Sequence, residues 1–138
     1  MLDDVTINKA AIIRRCLARV TEEYRGEPSR LDDFTIQDAI VLNLLRACEA
    51  SIDLAMHRIS KDKLGVPQSS RDAFEILHRN RANRAETSTA MKHMVEFRDS
   101  AVHSHEKLQR PILQANVELH LADFDTFLSE ISPPTPQS

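Results

Sequence analysis

Apolar residues recur along most of this chain at steps of three and four, the period of a helix that buries one face, and nowhere alternate at a step of two over a strand's length. Ile13, Cys16, Leu17, Val20 and Tyr24 predict a first helix over about 7–24, with Arg14, Arg15, Arg19, Glu22 and Glu23 mostly on its other side, closed by Gly26 and Pro28. After a loop, Thr35 followed by Asp38 has the form of a capped helix start. The second helix, about 36–62, carries a broad apolar face of Ile36, Ala39, Ile40, Leu44, Ala47, Cys48 and Ile52 and spans on the order of 40 Å. Its small residues Ala39, Ala47, Ala50 and Ala55 permit close approach of a neighbouring helix.

Leu64-Gly65-Val66-Pro67 ends that helix, with Gly65 expected as a left-handed cap. Ser69 with Asp72 opens a short third helix through Ala73, Phe74, Ile76 and Leu77. Thr87 or Ser88 is the expected cap of a fourth, whose inward residues are Met91, Met94, Val95, Phe97, Ala101 and Val102. Pro111 suits the first turn of a fifth, with the stripe Leu113, Val117, Leu121, Phe124, Leu128 and Ile131. The connection lengths imply an all-α, up-and-down bundle of four main helices plus one short helix. We expect one domain over 1–131 and a disordered proline-rich tail over 132–138.

Composition supports this reading: 41% hydrophobic and 28% charged residues with only two glycines favour a globular helical chain, and 138 residues suffice to bury about two-thirds of the unfolded surface. Cys16 and Cys48, 32 positions apart and each within an apolar stripe, read as buried thiols. The acidic start, followed by no apolar signal region, and the lack of a membrane-length apolar run lead us to expect a soluble cytoplasmic protein. A net charge of −3 argues against a general electrostatic grip on nucleic acid, so any such grip must be local. Arg79, Arg81 and Arg84, within six residues that hold no acid, are candidate contacts to a phosphate backbone.

Candidate chemistry concentrates in 96–108, Glu-Phe-Arg-Asp-Ser-Ala-Val-His-Ser-His-Glu-Lys-Leu. Arg98 offers a permanent cation with forked donors suited to phosphate oxygens, and His103 a side chain that gains and loses a proton near neutral pH. Residues five apart on a straight helix diverge by roughly 140°. For both to act on one phosphate, the helix must end or distort near His103, or a second subunit must complete the site. Arg46, Glu49, Asp53 and His57 share a ridge of the second helix that reads first as a solvated face of helical charge pairs. A carboxylate on it could also orient a basic residue of the site. No glycine-rich phosphate loop is present, and the six histidines show no zinc-like spacing with acids or thiols, so no cofactor or metal is expected.

Arg98-Asp-Ser-Ala-Val-His103 fits the Arg-x4-His signature of the HEPN superfamily. Three further stretches resemble the HepT toxins of HepT/MntA toxin–antitoxin pairs: Phe34-Thr-Ile-Gln-Asp-Ala-Ile40, Arg46-Ala-Cys-Glu-Ala-Ser-Ile-Asp53 and Leu64-Gly-Val-Pro-Gln-Ser-Ser-Arg-Asp-Ala-Phe74. The resemblance implies a dimeric helical ribonuclease that cuts cellular RNA, tRNA or mRNA, without metal and is neutralised by an MntA-type nucleotidyltransferase. It implies Arg98 and His103 as the catalytic pair and Asp99 as the supporting polar residue after the arginine. The family pattern continues with a tyrosine that accepts AMP from the partner; here that position is His105, which has no phenolic oxygen. The competing expectation is a non-catalytic helical adaptor that binds the nucleotidyltransferase, because a bundle alone does not determine activity.

Overall fold

A computed structural model of the protein describes residues 3–103 and 109–131, all of them in helices or the turns between helices. The elements are α1 (Asp4–Tyr24), a short 3-10 helix (Pro28–Asp32), α2 (Phe34–Asp62), α3 (Ser70–Arg79), α4 (Ala85–His103), α5 (Arg110–Leu119) and α6 (Leu121–Ile131). The all-α expectation holds. The expected tail over 132–138 lies outside the described residues.

α2 is the central element, packed against α1, α3, α4 and α6. Its alanines do what their size predicts: Ala47, Ala50 and Ala55 are buried, and α1 lies along α2 as its most extensive neighbour. The expected stripes of α1 and α3 are buried in full. On α4 the stripe holds except at Val102, which is 58% exposed. Phe127, absent from the expected core, is completely buried and meets Phe74 edge to face, ring centroids 5.5 Å apart, which ties α6 to α3.

The ends of the helices differ from expectation because short polar side chains cap wherever geometry lets them reach free amides. Asp3 caps α1 by accepting from the Thr6 amide, so α1 starts earlier than its apolar pattern. Asp33, and not Thr35, caps α2, accepting from the amides of Thr35 and Ile36. Lys63 (φ 54°) takes the left-handed position at the end of α2 that Gly65 was expected to hold. Thr87 and Ser88 lie buried inside α4 rather than at its cap; their hydroxyls donate to Glu130 and to the Phe74 carbonyl. Glu130 of α6 also accepts from the Arg84 amide at 2.7 Å, so a carboxylate from a distant element satisfies the start of α4. Ser69 does cap α3, as expected, through the Asp72 amide.

The expected fifth helix is two. Its apolar stripe continues across the break, but His120 leaves the helix and its ring meets Asp123 in a hydrogen bond (Nδ1 to Oδ2, 3.0 Å), while its carbonyl accepts from the Asp123 amide and starts α6. Among the described residues no helix is long and apolar enough to cross a membrane.

Candidate active site at the junction of three helices

Arg98 lies four residues after Met94 and three before Ala101, both buried, so the helical period places a cation on the core-facing stripe of α4. A guanidinium there must find partners or lose its hydration uncompensated. It finds them on two other elements. Its side chain is only 20% exposed; Nη1 donates to Glu49 Oε1 of α2 at 2.8 Å, and Nη2 to Ser70 Oγ at the first turn of α3 at 3.2 Å. Asp99 Oδ1 lies 2.9 Å from Nε but out of line with its N–H, and that buried donor has no hydrogen-bond partner among the described residues. Partial burial works against the charged form, yet the carboxylates of Glu49 and Asp99 outweigh it and raise the Arg98 pKa, so the cation is permanent.

His103 is the last residue of α4 and is exposed. The residues that follow His103, 104–108, lie outside the described residues. Within one chain the imidazole still leaves the helix roughly 140° away from Arg98, and no hydrogen bond or ion pair engages it among the described residues. His105 lies outside the described residues.

Two other ridge residues of α2 also make tertiary pairs, not the intrahelical pairs expected: Asp53 meets Lys9 of α1 at 2.9 Å, and His57 meets Asp3 at 2.8 Å. Glu49 is thus the residue that sequence reasoning underrated. Its signal was its place in the 46–53 stretch, but only packing shows that it faces Arg98. Ser70 had the same kind of signal, its place in the 64–74 stretch. Beneath the guanidinium, burial pushes the Cys48 thiol well above the ordinary range, which makes it an inert core residue.

The structure does not bring Arg79, Arg81 and Arg84 to this site. They surround the start of α4, and Arg98 comes 13 positions after Ala85, on the order of 20 Å along the axis. Arg79 lies 3.9 Å from Asp72, and Arg84 lies 3.8 Å from both Glu86 and Glu130. Among the described residues no group of three or more histidines, cysteines and acids is placed to hold a metal ion.

A family model described as "Ribonuclease HepT-like" matches residues 12–131. The chain belongs to the HepT-like ribonuclease family. It is 42% identical over 130 residues to the mRNA nuclease HepT of Shewanella oneidensis, covering 94% of this chain and 98% of that one. A solved toxin–antitoxin structure with AMP-PNP superposes with a TM-score of 0.90 at 42% identity, over 96% of this chain and all of that one. So does the tri-AMPylated HEPN toxin of S. oneidensis in complex with its MNT antitoxin, with the same score, identity and coverage. The Arg98–His103 stretch thus sits in a fold shared over 96% of this chain with solved toxins of the family.

Proposed function

We propose that this chain is the toxin of a toxin–antitoxin pair, a metal-independent endoribonuclease acting in the cytoplasm on mRNA or tRNA, held in check by an MntA-type nucleotidyltransferase. The observation that carries the reading is Arg98 itself: a cation set into the core stripe of α4, held by Glu49 and Ser70, five residues before the exposed His103 on the same helix. A bundle built only for stability gains little from an arginine in that place, since apolar packing there is at least as favourable.

RNA carries its own nucleophile. A base takes the proton of the 2′-hydroxyl, the 2′-oxygen attacks the adjacent phosphorus, and the 5′-oxygen leaves with a proton from an acid, which forms a 2′,3′-cyclic phosphate. His103 serves as base or acid. Arg98 neutralises the charge that builds on the non-bridging oxygens, where fixed donors matter most. One histidine per chain leaves one proton role open. A two-fold dimer fills it by bringing a second His103 to the same cleft, and it also removes the angular mismatch between Arg98 and His103 within one chain.

His103→Ala should abolish cleavage of a defined single-stranded RNA, with chelator present throughout, while leaving sedimentation and thermal unfolding unchanged. Cleavage by that variant at the parent rate sinks the assignment.

A further inference from the structure

A groove of about 540 Å³ runs between α1 and α2 up to the end of α4. It shares Glu49 with the Arg98 site, and Val102, the residue before His103, also lines it. Its two acids are already engaged, Glu49 with Arg98 and Asp53 with Lys9. Arg15 of α1 and Arg46 of α2 are exposed on the same groove, and neither has a carboxylate partner among the described residues. Both line the groove together with Cys16. The chain carries a net charge of −3, yet beside the candidate catalytic pair it leaves two uncompensated cations.

We propose that this groove holds the RNA backbone next to the cleaved linkage, with Arg15 and Arg46 each contacting a phosphate. The inference rests on the ribonuclease reading and adds to it where the substrate lies. The groove lies nearer to Arg98 than do Arg79, Arg81 and Arg84, which are on the order of 20 Å away along α4. A polyanion suits the groove better than a second copy of the chain. A copy docked there by two-fold symmetry brings the same two guanidinia toward their own mates, whereas a phosphate backbone neutralises both.

The test uses the full chain carrying His103→Ala, so that a labelled single-stranded RNA is bound and not cut, with and without Arg15→Gln and Arg46→Gln. Loss of two phosphate contacts should reduce the slope of log affinity against log salt by about 1.4. With His103 intact, the double change should lower kcat/KM for the same RNA at least tenfold, mainly through KM. Unchanged affinity and salt slope overturn the proposal. So does a change in sedimenting mass, which makes the groove an interface between copies, or loss of nucleotidyltransferase binding with RNA affinity intact. If the parent chain binds RNA through these arginines but never cleaves it, the groove stands and the nuclease reading fails.

Discussion

At Arg98, two requirements that usually conflict are met in one place. For the role proposed for it, the cation must be dry enough for its field to act strongly on a phosphate, and it must stay charged and pointed. Partial burial supplies the first; Glu49 and Ser70 supply the second. Replacement by lysine keeps the charge but loses the fork that reaches both partners at once. Arg98→Lys should therefore lower kcat/KM for RNA cleavage by at least about a hundredfold, the scale for removing one preorganised donor to a charged intermediate. Glu49→Gln, which keeps a hydrogen-bond acceptor, should lower kcat less, with KM little changed. Single-turnover kinetics separate these outcomes, and parent-like rates for Arg98→Lys show that a point charge is enough. The cation and the imidazole were legible in the sequence because both are chemically conspicuous and stand five apart. Glu49 was not singled out, because a carboxylate on an exposed helical ridge has the same sequence signature whether it faces water or a guanidinium from another helix.

Among the elements, apolar periodicity located most of each buried stripe but missed Phe127 and placed Val102 inside, while capping and pairing decided where helices start and stop. The contact between the end of α1 and α5 shows what periodicity leaves out. Tyr24 was read as an apolar member of its stripe and is buried, but its hydroxyl donates to Glu118 Oε2 at 2.7 Å. Burial, and then the Glu118 carboxylate, push the Tyr24 pKa up to about 12, and the same bond lowers that of Glu118. For a phenol whose folded-state pKa is raised, the linked stability is fully present below the ordinary value of about 10 and is lost as pH rises through the folded value. Tyr24 is the single tyrosine of the chain, so phenolate absorbance reports it alone. The folded protein should titrate with a midpoint near 12. The Tm advantage of the parent over Tyr24→Phe should shrink above pH about 10. A midpoint at the ordinary tyrosine value contradicts the contact.

At the scale of the whole molecule, the proposed control by a nucleotidyltransferase meets a position where the resemblance implies one residue and this chain has another. The family's AMP acceptor is a tyrosine, whereas position 105 here is histidine. AMP on an imidazole nitrogen is a phosphoramidate, which hydrolyses readily. When the chain is co-expressed with its nucleotidyltransferase, we expect intact-mass measurement to show no lasting AMP at His105, with inhibition persisting only in the complex. His105→Tyr should gain the modification. A stable AMP adduct mapped to His105 in the parent contradicts this.

The sequence by itself determined the all-helical class, the stripes that form the core, and the pair of groups with chemical reach, because periodicity and side-chain chemistry are local properties of a chain. Only the tertiary structure decided that Glu49 and Ser70 hold Arg98, that Glu130 caps α4, that the last helix breaks at His120, and that Arg15 and Arg46 border the site while Arg79, Arg81 and Arg84 do not. Each of these joins residues far apart in the chain or depends on where a helix end comes to rest. No local pattern encodes such distances, which are set when several elements bury their faces against one another at once.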